Sequence, residues 1–211
     1  MRALRVLQQR DEAIRARVAR DVESLLGEGS LESLALAAHA AMERETTRAR
    51  GAAARAPACS AGCSYCCHVH AHATLPEILA VAAWLRRSLA PEALEALKER
   101  LARHVARVEP LSDEERWAAR IPCALLDERG YCSVHEARPL RCRAFHSCSA
   151  DDCRDAFEGR ADALPPRAAL LTRAADAVEA GYDHALLAAG IDASGHRLEI
   201  GLLRALERTA P

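Results

Sequence analysis

Four cysteines crowd into nine positions of the stretch ACSAGCSYCCHVH, which covers residues 58–70. Four kinds of structure can explain such a cluster: a disulfide staple, a redox pair, a metal site, or buried cysteines that happen to be neighbours. Five more cysteines lie between residues 121 and 153. Any interpretation must therefore account for nine thiols in two groups.

The chain can form a hydrophobic core without covalent cross-links. It has 211 residues, of which 50% are hydrophobic, and its formal net charge is -1. Its positive charges are almost all arginines that alternate with Glu and Asp, as on the solvated face of a helix. Because the chain has no basic field and no run of about 20 apolar residues, we expect no nucleic-acid partner and no membrane partner.

The N-terminal stretch favours a cytoplasmic protein. It is interrupted by charges every few residues and lacks the apolar segment of a signal peptide. In a reducing cytosol thiols stay reduced, so a cysteine cluster there is more often metal-binding or catalytic than a disulfide framework. The odd number of cysteines, nine, also fits poorly with complete pairing.

Apolar residues recur at intervals of three and four along most of the chain, which predicts amphipathic helices. Strand signals are nearly absent, so the expected fold is mainly α: a helical bundle or hairpins with an irregular cysteine-rich metal-binding region. Thr74 is expected to cap the helix that follows the first cysteine group. The expected organisation is an N-terminal helical extension at 1–56, a cysteine-cluster metal-binding region at 57–153 and C-terminal helices at 154–211, together forming one compact domain.

The first cysteine group, Cys59, Cys63, Cys66 and Cys67, has the spacing CxxxCxxCC. On a helix or tight turn, intervals of three and four put side chains on one face, so Cys63 can converge with Cys59 and with one of the adjacent pair. Thiolates are soft anionic ligands that suit zinc and iron–sulfur clusters. Because neighbouring side chains point in different directions, we expect Cys66 and Cys67 to have different roles.

The second cysteine group lies in PCALLDERGYCSVHEARPLRCRAFHSC, beyond a predicted helical hairpin that would let the two groups close on each other. The sequence DERG predicts a turn between its first two cysteines. Arg138 and Pro139 should stiffen the approach to Cys142, while Arg141 and Arg143 could offset the negative charge of several thiolates. We interpret both groups as metal ligands: Cys59, Cys63, Cys66, Cys67, Cys123, Cys132, Cys142 and Cys148.

Histidines close to these cysteines can bind a metal themselves or hydrogen-bond to a ligand. Because enough cysteines are present, His68 is expected to hydrogen-bond to a ligand, whereas His135 and His146 are open to either role. His70 and His72 are expected to be exposed. Cys153 follows the second group at some distance, and we expect it to be a spare thiol.

The two segments CSAGCSYCCH and PCALLDERGYCSVHEARPLRCRAF resemble the YkgJ-type cysteine-cluster family, whose domain is described as putative zinc- or iron-chelating. The resemblance covers about residues 57–150 and includes the double cysteine, the Pro-Cys, the Gly-x-Cys and the Arg-Pro-x-x-Cys-Arg elements. This chain has one more residue between Cys59 and Cys63 than the common CxxCxxCC form. The resemblance implies chelation of a metal by Cys59, Cys63, Cys66, Cys67, Cys123, Cys132, Cys142 and, less firmly, Cys148.

Three functions remain open from the sequence. The first is a cytoplasmic protein that binds a metal ion, as zinc or an iron–sulfur cluster, with a protein partner left open. The second is a metal-dependent enzyme acting on a protein substrate, since flagellin lysine N-methylases are described as carrying a similar cysteine region; a glycine-rich methyl-donor loop after a strand is not seen. The third is a thiol redox protein, although the isolated CxxC and βαβ pattern of thioredoxin-like folds are missing.

Overall fold

The computed structural model describes residues 2–27, 29–160 and 165–208. Within these ranges the chain forms nine α-helices and one antiparallel ribbon of two strands, β1 (His72–Ala73) and β2 (His196–Arg197). The helices are α1 (Arg2–Glu23), α2 (Leu31–Ala52), α3 (Leu75–Ser88), α4 (Pro91–Val108), α5 (Asp113–Ala118), α6 (Leu140–Ala144), α7 (Ala150–Glu158), α8 (Ala169–Ala188) and α9 (Leu198–Glu207). The predicted mainly α fold is confirmed, and none of the described helices is long and apolar enough to cross a membrane.

The first apolar core joins the three longest helices, α1, α2 and α8, with the short helix α6. Val18, Val178 and Leu186 are fully buried there, and burying each such side chain stabilises the fold by roughly 1.5–3 kcal/mol. Gly181 lets α8 approach α1 closely, because a Cβ atom at this position would lie 2.5 Å from the carbonyl oxygen of Arg15. The N-terminal helices α1 and α2 therefore pack together with α8, which is remote from them in sequence, into one scaffold.

The second apolar core is formed by α3, α4 and α9, with Ile78, Leu101 and Leu202 buried at its centre. Helix α9 lies against α3 at Gly201, where a Cβ atom would approach Ile78 Cδ1 to 2.5 Å. Helix α3 also packs against α2. The second core is therefore connected to the first through α3.

The cysteine-rich region lies between these two cores. Cys123 and Cys132 pack against the second core, whereas Leu140 and Ala144, at the two ends of α6, are buried in the first core. Cys142 lies on α6 between them. The cysteine-rich region therefore contacts both cores.

Helix boundaries follow the sequence signals where the helices are long. Thr74 precedes α3 and donates its backbone N–H to Glu77 Oε2 over 2.8 Å, as in a capping box, so the predicted cap is confirmed. The helices α3 and α4 follow each other as predicted, but each packs more extensively on α9 than on the other. Helical periodicity does not predict α5, α6 and α7, because they span only 6, 5 and 9 residues.

Candidate metal centre

The first cysteine segment is tied at its start to the stretch between α6 and α7. Ala58 donates its backbone N–H to the carbonyl oxygen of Ser147 over 2.8 Å. In return, Ser147 donates its N–H to Cys59 Sγ, with 3.3 Å between nitrogen and sulfur. These two contacts hold Cys59 beside a part of the chain that is remote in sequence.

The other thiols of this segment are presented from tight turns rather than from a regular helix. Cys63 donates its N–H to the carbonyl oxygen of Ser60 over 3.1 Å. Gly62 has a φ of 85°, in the left-handed region that favours glycine. A 3-10 helix over Tyr65–His68 then carries the adjacent pair, Cys66 and Cys67.

The two cysteine groups meet through their backbones. The carbonyl oxygen of Cys67 accepts the N–H of Cys123 over 2.7 Å. Together with the contact at Cys59, this hydrogen bond fixes the first segment to the second at both ends. The two groups therefore close on each other, as the sequence led us to expect.

A turn returns the chain from Cys123 to Cys132. Asp127 donates its backbone N–H to the carbonyl oxygen of Tyr131 over 2.9 Å, and its Oδ1 accepts the N–H of Tyr131 over 2.8 Å. Gly130 has a φ of 80°, which a residue with a side chain rarely adopts. The turn predicted from DERG is confirmed.

A buried carboxylate, Glu77, positions the helix that carries Cys142. Its Oε1 accepts the backbone N–H of Leu140, the first residue of α6, over 2.7 Å. Burial alone would raise the pKa of Glu77, but His39, whose Nε2 lies 3.8 Å from Oε1, and hydrogen bonds from Leu140 and Thr74 lower it below its ordinary value. The ionised carboxylate therefore joins the start of α3 to the start of α6.

A second buried carboxylate, Glu199, holds the backbone next to Cys123. Its Oε1 accepts the N–H of Ala124 over 3.0 Å and lies 2.8 Å from His104 Nε2. Arg116, which is fully buried, donates Nη2 to the same oxygen over 2.9 Å. Burial would raise the pKa of Glu199, but His104 and Arg116 together lower it to about 2.

Sequence reasoning missed both carboxylates. One signal could have indicated Glu199: it occupies an inward position of the amphipathic helix α9, where Leu198, Leu202 and Leu206 are also buried. A charge on an apolar face is informative, because a buried carboxylate needs a partner. The partner itself, Arg116, lies on the short helix α5 and has no comparable signal.

Backbone N–H groups lie close to several of the thiols and favour their ionised form. Burial raises the pKa of Cys63, Cys123 and Cys132, and in each case the N–H two residues later acts in the opposite direction. Cys59 receives its N–H from Ser147 instead. Such donors stabilise the thiolate form, which is the form that binds a metal.

The sulfur atoms fall into two neighbourhoods. Within each, repulsion between like charges adds to burial in raising the pKa of its thiols. One neighbourhood contains Cys59, Cys63, Cys66 and Cys153. The other contains Cys67, Cys123, Cys132 and Cys142.

The adjacent cysteines connect the two neighbourhoods. Their thiols interact, which lowers the pKa of Cys66 to about 7 and raises that of Cys67, because a second thiolate beside the first would be repelled. The thiol of Cys66 raises the pKa of Cys59 and Cys63 and also that of Cys142, whereas Cys67 interacts with Cys123 and Cys142. The 3-10 turn thus places Cys66 between the two neighbourhoods and Cys67 within the second.

The arginines around Cys142 have different contacts. Arg141 extends to Glu179, with 3.4 Å between Nη1 and Oε2. Arg143 donates Nε to the carbonyl oxygen of Arg138 over 2.8 Å. Burial raises the pKa of Cys142 to about 12, and the charge of Arg138 opposes this rise. Arg138 therefore adds to the charge-offsetting role that the sequence suggested for Arg141 and Arg143, of which Arg143 interacts with Cys142.

The three histidines singled out from the sequence have different surroundings. The Nδ1 atom of His68 lies 3.1 Å from the carbonyl oxygen of Ser64, and its ring centre lies 4.6 Å from that of Phe157. His135 Nε2 contacts Arg138 Nη1 at 2.7 Å. Nδ1 of His146 is buried and without a hydrogen-bond partner among the described residues. A role for any of them at a metal stays a prediction.

The expected exposure of His70 is wrong. Only 5% of its surface is exposed, because the carbonyl oxygen of Leu111 and the guanidinium of Arg116 both contact its ring nitrogens. Both partners are remote in sequence, so local alternation of residues could not indicate them. His70 belongs to the buried polar network around Glu199.

The two last cysteines lie in different surroundings. Cys148 packs against the small apolar cluster of Ala49, Ala168, Leu171 and Ala174. Cys153 is buried in α7 and lies near Cys59 and Cys63. All nine cysteines are free thiols. In the described ranges, no group of three or more Cys, His, Asp or Glu side chains is already arranged to hold a metal ion.

The donor set nevertheless has the chemistry of a thiolate metal site: many sulfurs in two neighbourhoods, each near backbone N–H donors. Fold and site together define a helical protein with a cysteine-rich chelating region. Residues 58–159 match the model of the CxxCxxCC family, which is described as a putative zinc- or iron-chelating domain. No curated protein and no solved structure matches the chain significantly.

Proposed function

We propose that the protein binds zinc or an iron–sulfur cluster through thiolates of both cysteine groups. The ligands of the proposal are Cys59, Cys63, Cys66, Cys67, Cys123, Cys132 and Cys142, together with one further thiol. The observation that carries the proposal is the 2.7 Å hydrogen bond from the N–H of Cys123 to the carbonyl of Cys67, which brings the two groups together. The match of residues 58–159 to the zinc- or iron-chelating family supports it.

The raised pKa values of the buried thiols fit a site whose cysteines become charged only when a metal binds. Burial raises the pKa of Cys123 and Cys142, so these thiols are neutral at pH 7 without a metal. A bound cation offsets the cost of deprotonation, and metal uptake then releases protons. When bound, zinc would cross-link the two groups, and a cluster would add electron transfer.

We further propose that Cys66 and Cys67 serve different groups. Cys66 would join Cys59 and Cys63, with which its thiol interacts, and Cys67 would join Cys123 and Cys142. Because Cys66 also interacts with Cys142, it would lie where the two groups meet. This arrangement predicts more than one metal atom per chain, as two four-coordinate ions or as a cluster. Metal analysis of Cys66→Ser and Cys67→Ser tests it: complete and equal loss of metal from both variants would contradict a division of roles.

The experiment that tests the proposed function is anaerobic purification followed by elemental and sulfide analysis and an absorption spectrum. Zinc in a colourless protein would support a zinc site. Iron together with labile sulfide and an absorbance band at about 400 nm would support an iron–sulfur cluster. Absence of both metals from the freshly purified protein, and failure to take them up under reducing conditions, would refute chelation.

We also propose that the protein is cytoplasmic, because cysteine thiols stay reduced in that compartment.

A further inference from the structure

Cys153 is the one buried residue of α7. This helix begins after Ser149, whose Oγ accepts the N–H of Asp152 over 3.1 Å, and it ends at Gly159 in the left-handed conformation. Most of its other residues are charged or small. The face that carries Cys153 is therefore the face that α7 turns toward the rest of the protein.

Aromatic contacts show what this face packs against. Phe157 lies four residues after Cys153, so both side chains project from the same face of the helix. The ring of Phe157 lies 5.6 Å from that of Tyr65 and 4.6 Å from that of His68. Tyr65 and His68 are the two ends of the 3-10 turn that carries Cys66 and Cys67. Helix α7 therefore covers the first cysteine segment.

The sulfur of Cys153 lies within this covered region. Cys59 Sγ accepts the N–H of Ser147 over 3.3 Å, and Ser147 Oγ accepts the N–H of Ser149, the residue before α7, over 3.1 Å. Cys153 lies one helical turn after Ser149, and only 6% of its surface is exposed. Cys148, in contrast, packs against Leu171 and the apolar side chains around it. The match to the chelating family extends to residue 159 and so includes the whole of α7.

We propose that Cys153, and not Cys148, is the fourth thiolate of the first group, with Cys59, Cys63 and Cys66. Three sulfurs come from the turns of residues 59–66 and the fourth comes from the buried face of α7. Four thiolates complete the coordination of zinc, or of one cubane cluster. Cys148 is then a buried apolar side chain. This inference rests on the proposed function, because it names a further ligand of the same centre.

Metal analysis of matched variants tests the assignment. Cys153→Ala and Cys148→Ala, purified under reducing conditions, remove one thiol each. Cys153→Ala should lose roughly half of the bound metal, as Cys63→Ser should, because one of two groups is incomplete. Cys148→Ala should retain the wild-type amount. Full retention of metal by Cys153→Ala, or equal loss in the two variants, would overturn the assignment.

A measurement without metal separates this inference from the proposed function. A bifunctional thiol reagent applied to the intact metal-free chain, followed by peptide mapping, should join Cys153 to Cys59 or Cys63. Far-UV circular dichroism of both alanine variants checks that the helices remain. Cross-links from Cys148 to Cys59 or Cys63, with none from Cys153, would refute the placement even if the protein binds metal. A metal-free wild type that cannot be loaded would instead refute the proposed function, and this inference with it.

Discussion

Cys123 donates its backbone N–H to the carbonyl oxygen of Cys67 over 2.7 Å. A long helical excursion separates these residues, because α3, α4 and α5 lie between them. The hydrogen bond therefore joins the last cysteine of the first group to the first cysteine of the second. It turns two separate sequence motifs into one candidate site.

If the metal site uses thiols of both segments, removing a thiol of the second group should lower the metal content of the protein. We expect Cys132→Ser and Cys142→Ser each to lose a large share of the bound metal. Cys148→Ser is the matched control, since Cys148 packs in an apolar cluster. The metal content of each variant is measured by elemental analysis. If Cys132→Ser and Cys142→Ser both retained all of their metal tightly, the site would be confined to residues 59–67.

The buried carboxylate of Glu199 should stabilise the backbone beside Cys123. Glu199→Gln leaves the guanidinium of Arg116 buried without a charged partner, and breaking such a pair costs about 3–5 kcal/mol. Chemical denaturation should show this loss in the free energy of unfolding. Glu95→Gln is the control, because the side chain of Glu95, which pairs with Lys98, is exposed, and pairs at the surface contribute under about 1 kcal/mol. Similar effects in the two variants would contradict the account.

The same carboxylate gives a pH dependence. Although burial opposes ionisation, His104 and Arg116 lower the pKa of Glu199 from 4.5 to about 2. Since the folded state favours the ionised form, its contribution is present above pH 4.5 and is lost as the pH falls toward 2. Stability measured from about pH 5 downward should fall more steeply in the wild type than in Glu199→Gln. Parallel curves would mean that Glu199 does not carry this dependence.

Metal removal should loosen the cysteine-rich region before the helices. Residues 121–153 are held by turns and by two buried carboxylates, whereas α1 and α8 have an extended apolar core of their own. Hydrogen exchange with and without a chelator should therefore accelerate in residues 121–153 and stay unchanged in α8. Unchanged exchange in both regions would argue that the metal does not stabilise this part of the fold.

The contact between α1 and α8 should affect stability but not metal content. Gly181→Ala places a Cβ atom 2.5 Å from the carbonyl oxygen of Arg15, and such overpacking typically costs about 1–3 kcal/mol. Gly51→Ala is the control, because nothing lies within 4 Å of its added Cβ. Thermal unfolding should shift downward for Gly181→Ala alone. Loss of metal from that variant while it remains folded would show that the scaffold and the site are coupled.

Local signals account for much of what the sequence could predict. The cap at Thr74 and the turn at Asp127 each depend on residues a few positions apart, so their side chains are visible together in the sequence. The long helices are also visible locally, through the periodic spacing of their apolar residues. Such local patterns are enough to predict the mainly α fold and the two groups of candidate cysteine ligands.

The rest depends on contacts between distant segments. Burial of His70 requires Leu111 and Arg116, and the placement of Cys153 requires Phe157 to stack on the 3-10 turn. Neither contact leaves a periodic pattern, because α5 and α7 are too short to show one. Such positions are set by tertiary packing.

X-ray absorption at the edge of the bound metal tests the central claim most directly. The anaerobically purified protein should show a first shell made of sulfur, at about 2.3 Å for zinc. In Cys142→Ser the second group should either lose its metal or keep it with fewer sulfur ligands, so the number of metal–sulfur bonds per chain should fall. A first shell made mainly of nitrogen and oxygen, or a Cys142→Ser variant with both its metal content and its sulfur shell unchanged, would contradict a thiolate centre built from both cysteine segments.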